Sequence, residues 1–442
     1  MIRRYLQSAG TRARSAAERI GVASGAFGLL AIGFWQGLQV TTVTVVLWVV
    51  SLKLLYLKAV GSFVVFTTFL LCSGALLLWE VSRSRDPKTY RHDGPPVDAL
   101  IPVFRDGAVV ERSVESLLDS DYENLRIRVV TEPGDTETIR AAESLAADEP
   151  TVEVWENDRP GSKSGAINSA VARSDADHFV VFDADEVVAP SFVPAAMGRL
   201  TDGVDVFQGR RVPEPTGLVE TLAYCERALF HASYQLVELT GFTNCRSSST
   251  AFTRDALESV GGYQDCLTED LAFAHAAFRH GLDVEQHRNH VNTMEAPHTL
   301  RDLWGQRKRW RTGQVEYLHR VLSGKASGGD PKRRLLSFGR IATSLLGSLL
   351  TLTLVSKFLV LFLADAASLY LAPLALLGLL VGGLLWVDVA DGVADSSATT
   401  WVGAIAAAPV VIPLFGLLTL SALFGYTLTW DGEWFRVAKT SG

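Results

Sequence analysis

The chain has 442 residues, of which 48% are hydrophobic and 20% are charged, and its formal net charge is −7. This composition excludes a disordered chain, and its uneven distribution excludes an ordinary soluble domain. Residues 91–330 carry 39 acidic and 24 basic side chains, whereas the rest of the chain carries 9 and 17. Nucleic acid is not expected as a partner, because the central surface is too acidic.

Two apolar blocks flank this acidic block. Residues 20–79 contain only two charged side chains, Lys53 and Lys58, and residues 396–430 contain none. Such runs are long enough to span a bilayer, so we expect membrane helices on both sides of the central block. Basic residues border both apolar blocks, which by the positive-inside rule places the N-terminus and the central block in the cytoplasm.

The sequence therefore predicts a multi-pass protein of the cell membrane with a cytoplasmic catalytic domain. The predicted parts are a basic cytoplasmic N-terminus (1–20), two transmembrane helices (21–82), a cytoplasmic domain (95–322), a basic interfacial segment (323–340), about three transmembrane helices (341–430) and a tail (431–442). Three crossings in the first block are the alternative, which would place the N-terminus outside. Pro409 and Pro413 interrupt the last apolar stretch and leave the side of the C-terminus open.

The central block alternates short apolar runs with helical patterns. The runs at 97–103, 125–130, 152–155 and 178–182 predict strands, and the spacing of apolar residues between them predicts helices. This alternation is typical of an α/β fold whose mostly parallel sheet is covered by helices on both faces. Ligands bind beyond the carboxyl ends of such strands, so the polar residues after each run are the candidate site.

Asp183 and Asp185 directly follow the last of these runs. Side chains at i and i+2 of an extended chain point the same way, and two adjacent carboxylates repel unless a cation lies between them. Hard oxygen ligands suit Mg²⁺ or Mn²⁺, which can also hold a diphosphate. A solvated pair in a turn or at a helix N-cap is the alternative.

Two further motifs carry chemistry. Thr268, Glu269 and Asp270 precede a helical pattern, where Thr268 is predicted to cap the helix and Asp270 is a candidate general base for an acceptor hydroxyl. Residues 306–311 form a basic helical stretch with an indole, which can hold a pyrophosphate and stack on a sugar ring. A basic helix that attracts anionic lipid is the alternative for this stretch.

Two tempting patterns are rejected. Residues 161–165 (GSKSG) lack the spacing of a phosphate-binding loop of the nucleoside triphosphatases. His287, His290 and His298, with Glu295, form no recognisable zinc ligand set.

Taken in order, these segments resemble the membrane-embedded family 2 glycosyltransferases, the group that includes cellulose, chitin and hyaluronan synthases. The resemblance covers roughly residues 96–312. The matching segments are ALIPVF (99–104), VVTEPGD (129–135), GSKSGAIN (161–168), VFDAD (181–185), SVGGY (259–263), LTED (267–270) and QRKRW (306–310). The resemblance implies a nucleotide-sugar-binding domain of the GT-A type between N- and C-terminal transmembrane helices.

The resemblance also implies a role for each matching residue. Asp270 would be the catalytic base, and Asp183 and Asp185 would bind the diphosphate and the metal. The other implied substrate-binding residues are Glu132 at the nucleotide base, Lys163 and Asn168 beside the nucleotide, Glu269 next to the catalytic base, and Gln306, Arg309 and Trp310 at the diphosphate and the acceptor sugar.

Two departures from the family pattern leave the substrates open. Residues 131–133 are Thr-Glu-Pro where the family usually has Asp-Asp-Gly, so the nucleotide is uncertain. Arg246 and the serines at 247–249 stand where the family tends to have small residues along the acceptor path, which favours a different acceptor.

The resemblance implies an inverting enzyme that uses Mg²⁺ or Mn²⁺ to transfer a sugar from a UDP- or GDP-sugar. The expected acceptor is a growing polysaccharide or glycan at the membrane, in contact with membrane lipids. Transfer of a single sugar to a lipid or lipid-linked oligosaccharide is the alternative, and a non-catalytic membrane scaffold is the alternative of another class.

Overall fold

The computed structural model of the chain describes residues 59–62, 64, 68–69, 71–79, 90–326, 328–363 and 368–429. Among the N-terminal residues, 71–79 form a helix. The predicted N-terminal segment 1–20, the tail 431–442 and most of the predicted membrane block 21–82 lie outside the described residues.

An eight-stranded sheet organises the central domain. Its strands follow one another in space as β3-β2-β1-β4-β7-β6-β8-β5. In chain order they are β1 (Val97–Val103), β2 (Leu125–Thr131), β3 (Val152–Glu156), β4 (His178–Val181), β5 (Glu186–Val187), β6 (Val206–Pro213), β7 (Thr250–Thr253) and β8 (Val284–Met294). The four runs predicted as strands are β1 to β4.

The prediction of a mostly parallel sheet is correct without exception only for the half that contains β1 to β4, whose strands are all parallel to their neighbours within it. In the other half, β6 runs parallel to β8. β7 runs antiparallel to both β4 and β6, and β5 runs antiparallel to β8, so the sheet as a whole is mixed. The sequence pattern missed this half because β5 and β7 are very short and β6 and β8 contain several polar and charged residues.

Helices cover the sheet on both faces, as predicted. Those of the central domain are α1 (Val110–Leu118), α2 (Thr136–Asp148), α3 (Lys163–Arg173), α4 (Phe192–Thr201), α5 (Leu218–Glu238), α6 (Arg254–Ser259), α7 (Glu269–His280) and α8 (Leu300–Leu322). Val180 and Phe182 enter the core on one face, whereas Phe179 and Val181 enter the core on the other. This alternation follows from the two-residue period of an extended chain.

Three long helices follow the central domain: α9 (Pro331–Leu363), α10 (Ser368–Ala390) and α11 (Ala398–Thr429). They occupy the three apolar stretches that the sequence indicated, and α11 packs against α5, α8, α9 and α10. Over the described ranges, no helix combines the length and the apolar character needed to cross a membrane.

A buried ion pair joins the sheet to these C-terminal helices. Arg210 of β6 donates to Oδ2 of Asp388 of α10 at 2.6 Å, and the hydroxyl of Tyr224 of α5 donates to the same oxygen at 2.7 Å. Arg210 and Asp388 are both buried. The strand that carries this pair also carries Arg211, which lies in the candidate site described next.

Candidate active site

A cavity of about 1060 Å³ lies beyond the carboxyl ends of β1, β2 and β4. From there it passes α7 and α8 and reaches residues of α5, α9 and α11. All the predicted site residues except Asn168 line it: Glu132, Lys163, Asp183, Asp185, Glu269, Asp270, Gln306, Arg309 and Trp310. Segments that are up to 178 positions apart in the chain therefore share one cavity.

Glu132, directly after β2, is fixed by the loop that follows β3. Its Oε1 accepts a hydrogen bond from Nδ2 of Asn157 at 2.6 Å, and its Oε2 accepts one from the backbone N–H of Gly161 at 2.8 Å. Gly161 has a φ of +102°, a conformation that favours glycine. Both oxygens of this carboxylate thus hold the rim of the cavity in a defined position.

Asp183, the first acid of the Asp-Ala-Asp motif, pairs with two cations. One carboxylate oxygen contacts Nζ of Lys163 and the other contacts the guanidinium of Arg211. Lys163 is the first residue of α3, and Arg211 comes from β6 on the far half of the sheet. Arg211 was not predicted as a site residue; a charged pair within a strand that is buried at every position is the signal that marks it.

Glu186 ends the polar segment 183–186, which the sequence marked as part of the candidate site without a role for this residue. It is fully buried, accepts hydrogen bonds from the Ser249 hydroxyl and from Nδ2 of Asn292 (3.2 Å), and accepts another from the backbone N–H of Asp183 at 3.1 Å. Burial, opposed by Arg211 and reinforced by Asp183, raises the pKa of Glu186 to about 7. Glu186 therefore fixes the turn that presents Asp183 and Asp185.

Asp183 and Asp185 have the donor chemistry that Mg²⁺ and Mn²⁺ prefer. Among the residues that the structure describes, no three His, Cys, Asp or Glu side chains group as a set of metal ligands. Mg²⁺ is commonly held by one or two carboxylates together with substrate phosphates and water, so the two aspartates fit a metal of this kind. Asp183 contacts Lys163 and Arg211 through its two oxygens, and Asp185 lines the same cavity.

Glu269 and Asp270 begin α7, where the positive end of the helix dipole favours acids. The Ser247 hydroxyl donates to Oε1 of Glu269 at 2.7 Å, and the backbone N–H of Leu271 donates to Oδ1 of Asp270 at 2.7 Å. Burial, followed by the charge of Asp270, raises the pKa of Glu269. These contacts orient the two carboxylates at the wall of the cavity.

The prediction that Thr268 is the N-cap residue of α7 is confirmed for its position only. Thr268 occupies the N-cap position, but its side chain makes no capping hydrogen bond. The side chain is instead buried against Gly313 of α8, where a Cβ atom would lie 2.4 Å from Cγ2 of Thr268. The threonine thus connects the segment that carries Asp270 to the helix that carries Arg309.

The basic stretch lies within α8, and its arginines have different neighbours. Arg307 is buried, pairs with Glu226 at 2.6 Å and lies 4.3 Å from the ring centre of Trp310. Burial lowers the pKa of Arg309, while Glu269, Asp270 and Asp183 oppose that shift. Arg309 is therefore the arginine of this stretch that faces the acidic site. Gln306 accepts a hydrogen bond from Arg307.

Asn168 does not line the cavity, contrary to the expectation that it lies beside the nucleotide. Its Nδ2 donates to the carbonyl oxygen of Tyr263 at 2.8 Å, and its Oδ1 accepts from the N–H of the same residue at 2.9 Å. At Gly262, whose φ is +82°, a Cβ atom would lie 2.8 Å from Oδ1 of Asn168. The asparagine holds the 259–263 segment in place, because its amide is occupied at both ends.

Residues 95–313 match the family model described as glycosyltransferase like family 2. This part of the chain therefore belongs to the family 2 glycosyltransferases. The mannosyltransferase of Pyrobaculum calidifontis, solved with GDP-Man and Mn²⁺, is similar in structure with a TM-score of 0.50 and 18% identity, covering 86% of this chain and 99% of that chain. The mixed α/β sheet and this likeness define a GT-A-like fold.

Two curated relatives show the range of activities among similar sequences. Beta-monoglucosyldiacylglycerol synthase of Synechocystis sp. is 27% identical over 263 residues, which are 55% of this chain and 53% of the relative. Cellulose synthase 1 catalytic subunit (UDP-forming) of Komagataeibacter xylinus is 24% identical over 238 residues, which are 50% of this chain and 31% of the relative. The matched region spans about half or less of the length of these relatives.

Proposed function

We propose that this enzyme transfers a sugar from a UDP- or GDP-sugar to a lipid or lipid-linked acceptor, with inversion at the anomeric carbon. The observation that carries the proposal is the meeting of Asp183, Asp185, Asp270 and Arg309 in one cavity. The reaction requires a pair of carboxylates for a metal and the diphosphate, a separate carboxylate as the base, and a cation for the leaving group.

The cavity's chemistry supports a direct displacement. The acceptor hydroxyl oxygen forms a bond to the anomeric carbon while the bond from that carbon to the diphosphate oxygen breaks. Asp270 takes the hydroxyl proton, and Arg309 stabilises the negative charge that develops on the departing nucleoside diphosphate. Asp185 and Asp183 would hold a divalent cation, which would supply further charge neutralisation at the diphosphate.

Three further residues position the reacting groups: Lys163, Arg211 and Trp310. Lys163 and Arg211 hold Asp183 in place and add positive charge near the diphosphate. Trp310 lines the same cavity, where its indole ring, already contacted by Arg307, offers an aromatic contact for a sugar ring. Attack from the side opposite to the leaving group inverts the anomeric configuration.

The acceptor assignment is supported by the inner part of the cavity. Phe230 of α5, Ile341 of α9 and Phe415 of α11 line it, which suits an acyl or prenyl chain more than a hydrophilic polymer. A growing polysaccharide is the second candidate acceptor, favoured by the similarity to a cellulose synthase subunit. The similarity to a glucosyldiacylglycerol synthase favours the lipid.

We further propose that the protein resides in the cell membrane, with residues 95–322 on the cytoplasmic side. The support comes from the sequence, since residues 20–79 and 396–430 are nearly free of charged side chains and have basic residues at their borders. A lipid acceptor would reach the inner part of the cavity from that membrane.

The experiment measures nucleoside diphosphate release by the purified full chain in lipid, across a panel of UDP- and GDP-sugars with Mg²⁺ or Mn²⁺. The labelled product is then separated by size. A labelled lipid bearing one sugar is the expected product, and a product of high molecular mass would establish the polysaccharide synthase instead. Absence of release with every donor and acceptor would contradict the proposal.

A further inference from the structure

Four arginines line the inner part of the cavity, and we name them the inner arginine cluster: Arg227, Arg246, Arg311 and Arg340. They come from four different segments of the chain, namely α5, the loop before β7, α8 and α9. Arg227, Arg246 and Arg311 are only 6%, 7% and 5% exposed. The fold thus gathers several cations where little water can solvate them.

The charged groups that act on Arg227 are mainly cations, and Tyr234 acts in the opposite sense. Burial lowers the pKa of Arg227 well below the usual range, and the charges of Arg246, Arg211 and Arg307 lower it further. Its guanidinium lies 5.4 Å from the ring centre of Trp310. A buried guanidinium that is surrounded by like charges is unfavourable unless an anion joins it.

The other members of the inner arginine cluster contact rings and neutral groups. Arg246 shares a hydrogen bond with Nε2 of His231 at 2.8 Å, while Arg311 contacts Gln314 and lies 4.7 Å from the ring of Phe415. Arg340 lies 4.1 Å from the ring of Phe242. Within the described part of the chain, no member of the cluster forms an ion pair with a carboxylate.

Nearby acids are already paired with other cations. Glu226 is bound by Arg307 at 2.6 Å, and Glu238 is bound by Arg288 at 2.7 Å. The donor end of the cavity is different, because Asp183 there balances Lys163 and Arg211. The inner arginine cluster lies next to the ring of Trp310, and Arg246 is close enough to Asp270 for the two charges to interact.

We propose that the inner arginine cluster binds the phosphate of the lipid acceptor, so that the acceptor is a lipid carrying both a phosphate and a free hydroxyl. The inference rests on the proposed function, since it names the acceptor class of that same site. The apolar side chains Phe230, Ile341 and Phe415 beside the cluster suit the lipid chain, and the arginines suit its phosphate.

The lipid phosphate stays intact in this reaction. Its role is to anchor the headgroup, so that the hydroxyl beyond the phosphate reaches Asp270. That hydroxyl oxygen forms the bond to the anomeric carbon of the donor, its proton passes to Asp270, and the nucleoside diphosphate leaves. A phospholipid with a hydroxylated headgroup and a sugar linked to a polyprenyl phosphate share this chemistry.

Lipid binding by the full chain in detergent, measured by native mass spectrometry, tests the proposal without a donor. The probes are phosphatidylglycerol, polyprenyl-phosphate glucose, diacylglycerol and inorganic phosphate. We expect the chain to retain one or both phosphate-bearing lipids in preference to diacylglycerol, and the preferred lipid identifies the source of the phosphate. Arg227→Gln should weaken that binding about tenfold to a hundredfold, because it removes a buried charge-assisted contact.

Three variants separate binding from folding. Arg227→Lys keeps the charge and should retain part of the affinity, whereas Arg173→Gln removes an exposed arginine at the end of α3 and should leave lipid binding unchanged. Arg227→Gln should leave the affinity for UDP or GDP with Mn²⁺ unchanged, which also shows that the variant is folded.

Several results would overturn the inference. The first two are retention of diacylglycerol as strong as that of the phosphate-bearing lipids, and displacement of the lipid by equimolar inorganic phosphate. The other two concern Arg227→Gln: a lipid affinity equal to that of the unmodified chain, or a loss of nucleotide affinity rather than lipid affinity. Failure to transfer sugar from any donor would contradict the proposed function alone, because lipid binding is measured in the absence of a donor.

Discussion

A Cβ atom on Gly313 would lie 2.4 Å from Cγ2 and 2.6 Å from Oγ1 of Thr268. At this point α8, which carries Arg309 and Trp310, packs its backbone directly against the side chain of Thr268 at the start of α7. Gly313 lies four residues after Arg309, on the same side of α8. The spacing between Asp270 and Arg309 thus depends on the absence of a side chain at position 313.

Gly313→Ala should lower both activity and stability. Replacing a helical glycine by alanine normally stabilises the folded protein by about 1 kcal/mol, whereas overpacking a buried contact destabilises it by about 1–3 kcal/mol. Because the contact distance here is so short, overpacking is the dominant effect. Displacement of Arg309 relative to Asp270 should slow transfer by about tenfold to a hundredfold. The measurements are the thermal midpoint and the rate of nucleoside diphosphate release.

Gly339→Ala is the matched control for this substitution. Gly339 lies in α9, and a Cβ atom there meets nothing within 4 Å, so this variant should be neutral or slightly more stable. Thr268→Ser removes the methyl group that Gly313→Ala strikes and should restore part of its lost activity. If Gly313→Ala and Gly339→Ala have the same thermal midpoint and the same rate of nucleoside diphosphate release, the contact with Thr268 contributes to neither stability nor activity.

Asp185→Ala should remove the effect of the metal on nucleotide binding. In the unmodified chain, Mn²⁺ should strengthen binding of the nucleoside diphosphate in calorimetric titration, whereas Asp185→Ala should bind it equally with and without Mn²⁺. Asp148→Ala, which replaces an exposed acid at the end of α2, should retain the full metal effect. A metal effect of unchanged size in Asp185→Ala would exclude this residue as a ligand.

His298 should stabilise the fold in a pH-dependent way. Its ring nitrogens lie 2.7 Å from Glu220 and 2.6 Å from Glu295, and the hydrogen bonds that the ring donates to Glu220 and then to Glu295 raise the pKa of His298. A raised histidine pKa stabilises the folded state fully below the ordinary value of about 6.5, and this stabilisation is lost as the pH rises through the raised pKa. His298→Gln should therefore lower the thermal midpoint more at pH 5.5 than at pH 9; a difference that does not vary with pH would contradict the assignment.

Asp388→Asn should destabilise the contact between the sheet and α10. The substitution leaves Arg210 buried without its charged partner, which typically costs about 3–5 kcal/mol. Asp391→Asn, at an exposed position one turn further on, is the control and should change the thermal midpoint little. Equal midpoints for the two variants would mean that the Arg210–Asp388 pair does not stabilise the protein.

Sequence patterns predicted the parts of the site that lie on local motifs. β1 to β4 follow hydrophobic periodicity, and the acids at their carboxyl ends line the cavity as expected. Arg211 and the role of Glu186 were not predicted, because both depend on contacts across the sheet, such as that between Glu186 and Ser249. Asn168 shows the converse: its local motif matches the family, but its amide is occupied by Tyr263.

The most direct test of the account compares donor binding and transfer in Asp270→Asn. The substitution keeps the shape of the side chain and removes its ability to accept a proton as a base. We expect nucleotide-sugar affinity to remain unchanged, since the paired aspartates and Arg309 are intact, while the transfer rate falls by about 10²- to 10⁴-fold. Transfer at a near-normal rate in Asp270→Asn would contradict the assignment of this residue as the catalytic base.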